Sequence, residues 1–215
     1  MADFAKHLPL SQHASADEPS VSTDWRMHLS TTLAGIADLL DGLPPEDWLT
    51  QSLCERWTVR DVVGHIVWRL GSSNRELLDS GTRAYARNFP SLNRTIDVVS
   101  RATAEAPPAD LIAGIRQIAA DKAAGRGRHG VTELTEAVVH GLDIAHPLGL
   151  ALTVDPVASG AVAVRRALIA PPTVRGVLRA RTLVATDAGW RVGRGRAIPG
   201  SAEDHLLFLF GRQPL

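Results

Sequence analysis

Residues 52–70, SLCERWTVRDVVGHIVWRL, predict a tight turn followed by an amphipathic helix. Thr58 is a residue type that caps helices, and Asp61 three residues later gives a short-armed version of the capping box. Apolar residues then recur at three- and four-residue steps and predict one buried helix face, at positions 59, 62, 63, 66, 67 and 70. We expect this helix to begin at Thr58 and to continue to Asp79.

The same periodicity extends in both directions along the chain. It predicts further helices bounded by glycine, proline or a capping residue, over residues 23–40, 92–106, 109–124, 131–145 and 156–169. Thr23 is the expected cap of the first of them. These segments are typical of a mainly α protein built as an antiparallel helix bundle.

The pattern changes after residues 171 and 172, which are both proline. Residues 178–186 and 190–192 alternate as strands around a turn at 187–189, and residues 200–210 predict a closing helix. We therefore divide the chain into a flexible N-terminal arm (1–22), a helix bundle (23–150) and a small C-terminal α+β unit (151–215).

Composition narrows the possible functions. The 215 residues are 45% hydrophobic and 21% charged, which excludes wholesale disorder, and 23 basic side chains balance 23 acidic ones. From Asp155 onward, nine arginines face four acidic residues, so the basic charge is concentrated in the C-terminal unit. With this overall balance we expect no nucleic-acid partner. The single cysteine and the lack of long apolar runs predict a cytoplasmic protein outside the membrane.

The best candidate for chemistry lies in the fifth predicted helix. Glu136 and His140 are four residues apart, so their side chains lie one turn apart on the same face. A carboxylate and an imidazole at this spacing can chelate a divalent cation, although the same pair is also common on solvated helices. Asp143 lies on the same side and could accept the free ring N–H of a ligand histidine, or could be an ordinary exposed acid.

A third ligand would have to come from another helix, and His65 is the obvious donor. With Glu136 and His140 it would give two nitrogens and one oxygen, the ligand set of a catalytic zinc ion that keeps one open position. A lone histidine beside an apolar face can equally be a hydrogen-bonded boundary residue. From the residues alone, both readings stay open.

Other residues and motifs give only weak indications of a functional site. Cys54 has no second cysteine and no neighbouring base in the sequence, so we do not expect a catalytic thiolate. The sequence contains no nucleophile elbow, P-loop or dinucleotide fingerprint. The tryptophans of the first third are expected to cement the bundle or to line a cleft for an organic ligand, at positions 25, 48, 57 and 68.

Two blocks resemble a known family. Residues 52–66 (SLCERWTVRDVVGHI) and residues 136–149 (EAVVHGLDIAHPLG) are similar to the motifs of the mycothiol-dependent maleylpyruvate isomerase family, and residues 184–212 resemble its C-terminal region. The family's N-terminal domain binds a metal and belongs to the DinB-like superfamily. The resemblance therefore implies a DinB-like antiparallel four-helix bundle with a small C-terminal α+β unit.

The resemblance also implies a function. It identifies His65, Glu136 and His140 as ligands of a divalent metal ion, for which we expect zinc, and Asp143 as the partner of a ligand histidine. Mycothiol would be the thiol cosubstrate for transfer to, or isomerisation of, a small electrophilic substrate. Arg94 is the candidate to bind a carboxylate of that substrate. The partners expected are therefore two small molecules, and the protein itself is expected to be a monomer or a homodimer.

Two rival functions remain. One is a non-catalytic module that binds a metal or a small ligand and contacts a partner through its basic tail. The other is a hydrolase that uses a metal-activated water, for which Asp143 is the one candidate general base.

Overall fold

The described part of the chain folds into two units. A computed structural model describes residues 24–79, Thr82 and residues 92–215. Asp24–Asp155 form one unit and Pro156–Leu215 the other. The predicted arm and the predicted cap at Thr23 lie outside the described residues.

The first unit is a helix bundle. Its helices are α1 (Arg26–Asp41), α2 (Val59–Gly71), α3 (Leu92–Ala104), α4 (Pro108–Ala123) and α5 (Val131–Ala145), with short 3-10 turns at Asp47–Leu49 and His146–Leu148. Helix α1 packs against α4 and α5, and α2 packs against α3, α4 and α5. The mainly α architecture predicted from the sequence is confirmed. The interior is aliphatic and includes Leu29, Leu33, Ile36, Ile66 and Leu134, all at most 1% exposed.

Helix α2 starts where the sequence predicts. The Thr58 hydroxyl accepts a hydrogen bond from the Asp61 backbone N–H, and the Asp61 carboxylate accepts one from the Thr58 N–H at 3.0 Å. This capping box satisfies two backbone donors that have no partner within the helix. The preceding turn closes on itself because the Ser52 N–H donates to the Trp57 carbonyl at 3.0 Å.

The prediction that α2 continues to Asp79 is wrong. The helix ends at Gly71, Ser72 is extended, and residues 74–79 are helical again. Two cations from other segments bind the carbonyls of its last turn: Lys122 Nζ donates to the Leu70 carbonyl at 2.8 Å, and Arg128 donates to the Arg69 carbonyl. These contacts replace the hydrogen bonds that a continuing helix would supply.

A second capping box marks the new start. The Ser73 N–H donates to the Glu76 carboxylate at 2.7 Å, and the Glu76 N–H donates to the Ser73 hydroxyl at 3.3 Å. The Ser-x-x-Glu spacing was therefore a readable start signal within the segment predicted as one helix.

The second unit combines helices with a three-stranded sheet. Its elements are α6 (Pro156–Leu168), α7 (Pro172–Ala180), β1 (Arg181–Ala185), β2 (Arg191–Gly193), β3 (Arg196–Gly200) and α8 (Ala202–Leu209). Strand β1 pairs antiparallel with β2, which confirms the predicted hairpin, and parallel with β3.

Three details of this unit differ from prediction. Residues 178–180 are the last turn of α7 and not strand, because Val174 and Leu178 are buried one helical turn apart. Strand β3 was missed because it contains Pro199 and Gly200, residue types that are rare in strands. The closing helix starts at Ala202 and not at residue 200, and Ser201 caps it by accepting a hydrogen bond from the Asp204 N–H.

No helix in the described ranges combines the length and the apolar character needed to span a bilayer. The cytoplasmic location and the monomeric or homodimeric state stay predictions.

Helices α2 and α3 touch backbone to backbone at Gly64. A Cβ atom there would lie 2.5 Å from the Ser100 carbonyl oxygen and 2.7 Å from the Ala104 Cβ. Side chains cannot approach that closely, so a larger residue would push α3 away from α2.

We predict that Gly64→Ala lowers the free energy of unfolding by about 1–3 kcal/mol, because the added methyl overpacks this contact. The measurement is denaturant-induced unfolding followed by circular dichroism. Gly42→Ala is the matched control: nothing lies within 4 Å of its Cβ position and its φ is −89°. The control should be neutral or stabilising by about 0.4–1 kcal/mol. Equal stability of the two variants would contradict the close contact.

Candidate metal centre

Packing of α2 against α5 brings the three predicted ligands together. Glu136 Oε2 lies 3.4 Å from His65 Nε2 and 3.5 Å from His140 Nε2. The two imidazole rings meet edge to face, with centroids 4.8 Å apart. One carboxylate oxygen thus faces a nitrogen from each of two helices, and these three ligand atoms all lie within 4.8 Å of one another.

The other nitrogen of each ring has a polar partner. His65 Nδ1 lies 3.0 Å from the Ser100 hydroxyl on α3, and His140 Nδ1 lies 3.0 Å from Asp143 Oδ2. A carboxylate at Nδ1 favours a proton on that nitrogen and leaves Nε2 as the lone-pair donor. The Nε2 atoms of both rings face Glu136 and are potential ligands.

Asp143, the partner of His140 Nδ1, is itself held by several contacts. Its side chain is fully buried, and besides His140 it accepts a hydrogen bond from Cys54 Sγ at 3.1 Å. Its backbone carbonyl accepts one from the Leu53 N–H at 3.1 Å. The alternative that Asp143 is an exposed helix acid is therefore wrong.

Cys54 has neighbours that the sequence did not reveal. Its sulfur lies 4.0 Å from His140 Nδ1 as well as beside Asp143, so the expectation that it has no neighbouring base is wrong. The turn before α2 folds onto α5, although the two are more than 80 residues apart in sequence. Cys54 reaches the Nδ1 edge of His140, whereas Glu136 faces the Nε2 edge. Cys54, His140 and Asp143 thus form a second group with possible metal ligands, and it shares His140 with the first.

Tryptophan rings cover the histidines. The Trp57 ring lies 4.9 Å from that of His65 and 6.3 Å from that of His140, and the Trp68 ring lies 5.8 Å from that of His65. The Trp57 indole N–H donates to Asp97 Oδ1 at 2.6 Å, which fixes the ring. These rings place an apolar, polarisable wall beside the polar cluster.

Burial and hydrogen bonding shift the proton affinities in this cluster. Burial lowers the pKa of His65. Burial would also lower the pKa of His140, but hydrogen bonds with Asp143, Cys54 and Glu136 raise it well above its usual value. The pKa of Glu136 is held far below its usual range by His140 and His65, against the opposite effect of burial. Without an ion, this is a charged pair next to a neutral imidazole.

Two arginines differ in their relation to the centre. Arg69 Nε, four residues after His65, lies 3.8 Å from Glu136 Oε1. Arg69 was not among the predicted site residues, although its four-residue spacing from His65 was a readable signal. Arg94 is exposed in the first turn of α3, and its contact with a substrate carboxylate stays a prediction.

The centre lies in a chain with recognisable relatives. Residues 29–125 match the family model described as the mycothiol maleylpyruvate isomerase N-terminal domain. This segment includes His65 and ends before Glu136 and His140. The predicted resemblance to this family is confirmed. No curated protein has a detectably similar sequence.

Two solved structures share the fold. One is a crystal structure of the mycothiol-dependent maleylpyruvate isomerase, 13% identical to this chain with a TM-score of 0.54. The other is of a histidine-to-alanine mutant with that name, also 13% identical, with a TM-score of 0.51. Each alignment covers 91% of both chains. The similarity establishes a common fold that extends across both units of this chain.

Proposed function

We propose that this protein is a divalent-metal-dependent enzyme that uses mycothiol as its thiol. It either isomerises a small electrophilic substrate or attaches the thiol to it. The observation that carries the proposal is the convergence of His65 Nε2, His140 Nε2 and Glu136 Oε2 from two helices. The match to the mycothiol maleylpyruvate isomerase N-terminal domain supports the choice of thiol and reaction class.

The three donors fit a zinc ion in type and in spacing. In a tetrahedral site with metal–ligand bonds of about 2.0–2.1 Å, neighbouring donor atoms are about 3.3 Å apart. The two spacings from Glu136 Oε2, 3.4 and 3.5 Å, are close to this value. Two imidazoles and one carboxylate also bind other first-row metals, but their number leaves the open position that is typical of catalytic zinc.

The chain's own residues prepare this centre. Asp143 and Ser100 fix the two imidazole rings through their Nδ1 atoms, and Cys54 adds a hydrogen bond to Asp143. Trp57 lies beside both rings, and Trp68 lies beside that of His65. A bound dication would lower the pKa of a coordinated thiol and polarise a substrate carbonyl.

The proposed reaction needs no oxidant or reductant. The mycothiol sulfur, having lost its proton to solvent, adds to one carbon of an electrophilic C=C bond, and the electron pair moves to the conjugated carbonyl as an enolate. Rotation about the new single bond and loss of the sulfur restore the double bond in the other geometry. Protonation of the enolate carbon instead leaves the thiol attached, as a conjugate.

We predict that His65→Ala and His140→Ala each weaken zinc binding more than about 100-fold, since removing a ligand costs more than removing its hydrogen-bond partner. Metal content is measured by elemental analysis of untreated protein, and affinity by chelator competition. His129→Ala is the control, because its Nδ1 bonds the Gly127 carbonyl of its own loop at 2.8 Å. Full zinc occupancy in both ligand variants would contradict the proposed centre.

We predict that Asp143→Asn weakens zinc binding about 10–100-fold, because the amide no longer fixes the tautomer of His140. The same chelator competition measures it. Asp110→Asn, on the exposed first turn of α4, should leave the affinity unchanged. A wild-type affinity in Asp143→Asn would show that His140 needs no orientation by this carboxylate.

We predict that zinc-loaded protein accelerates either isomerisation of maleylpyruvate or conjugation of mycothiol to an activated C=C bond. Chelation should abolish the rate and zinc should restore it. The two products are separated chromatographically, and His140→Ala serves as the inactive reference. Rates equal to that reference with every electrophile would argue against the enzyme and in favour of a binding module.

A further inference from the structure

We infer that Arg69 forms a carboxylate-binding subsite beside the metal centre, which rests on the proposed function and gives its substrate a chemical class. Arg69 lies in the last turn of α2, one helical turn after His65. Its Nε is 3.8 Å from Glu136 Oε1, whereas the other oxygen of the same carboxylate faces both imidazoles. The guanidinium thus adjoins the ligand set without belonging to it.

The guanidinium of Arg69 is not engaged in a close hydrogen bond. At 3.8 Å its contact with Glu136 is an ion pair and longer than a hydrogen bond, and within the described ranges no other acceptor pairs with this side chain. Two other arginines already form close ion pairs: Arg128 lies 2.9 Å from Glu133, and Arg101 lies 3.1 Å from Asp97. Among these three, Arg69 retains the donors for a ligand.

The backbone of Arg69 is held in place at the end of α2. Arg128 donates to the carbonyl of Arg69, and Lys122 donates to that of Leu70 at 2.8 Å. The Arg69 side chain is only 22% exposed. A cation that is held on a rigid turn and partly removed from water loses little entropy or hydration when it binds an anion.

The donor geometry favours a carboxylate. A guanidinium presents parallel N–H groups that match the two oxygens of a carboxylate, and such bidentate pairs are stronger than neutral hydrogen bonds. A substrate with a carboxylate near its electrophilic carbon could therefore bind Arg69 while its reacting end approaches the sulfur. Arg94 is the rival for this contact, but it is exposed on α3 and so more hydrated.

The test compares two thiols that differ in one charge, 3-mercaptopropionate and 3-mercaptopropionamide. Protein loaded with Co²⁺ is titrated with each, by calorimetry for affinity and by absorption for the thiolate-to-cobalt charge-transfer band. The wild type should bind the carboxylate at least about tenfold more tightly than the amide. Arg69→Gln should bring that ratio near one by weakening the carboxylate only, and Arg69→Lys should retain part of it.

Two further variants complete the design. Arg116→Gln is the control, because this arginine pairs with Asp38 and Asp41 on another surface of the bundle. It should keep the wild-type ratio, and Arg94→Gln tests the rival carboxylate contact directly. A ratio that is near one in the wild type, that survives Arg69→Gln, or that is lost in Arg94→Gln would overturn the inference.

The two readouts separate the inference from the proposed function. A band with both thiols, together with equal affinities, would refute the Arg69 subsite and leave thiol activation intact. No band with either thiol would refute thiol activation, while the calorimetric ratio would still decide whether Arg69 recognises the carboxylate. Metal content is measured for every variant, so that a loss of cobalt is not mistaken for a loss of carboxylate binding.

Discussion

Glu136 Oε2 is the atom on which the centre depends, since it faces an imidazole from α2 and an imidazole from α5. Two nitrogens and an anionic oxygen placed so close are costly to bury without a counter-charge, and a divalent cation supplies one. Without a cation, His140 and Glu136 stabilise each other as a charged pair. The same arrangement that perturbs their proton affinities is therefore the one that suits the proposed metal ion.

The contact between α2 and α3 has a consequence for His65. Because Gly64 has no side chain, the Ser100 backbone comes close enough to α2 for the Ser100 hydroxyl to reach His65 Nδ1 at 3.0 Å. Gly64, next to a proposed ligand histidine, thus helps to orient the ring as well as to pack the bundle. Stability and site geometry are coupled at this one position.

On α5 the support comes from a different part of the chain. Asp143, one turn beyond His140, is fully buried. It also accepts hydrogen bonds from Cys54 Sγ and from the Leu53 N–H, both in the turn before α2. That turn leads directly into the capping box at Thr58, so the start of α2 and the orientation of His140 are tied to the same short segment. Each proposed ligand histidine is therefore oriented by a residue outside the proposed ligand set.

The sequence by itself determined the features that depend on neighbours within one turn. The helix faces, the cap at Thr58 and the pairing of Glu136 with His140 follow from the period of 3.6 residues and were predicted in place. The link from His65 to that pair was one of two readings until the family resemblance favoured it. Only the tertiary structure decided the rest: the approach of Cys54 to Asp143 and the parallel pairing of β3. Those contacts join residues from distant segments, and a local pattern carries no information about which distant backbone or charge will satisfy a group.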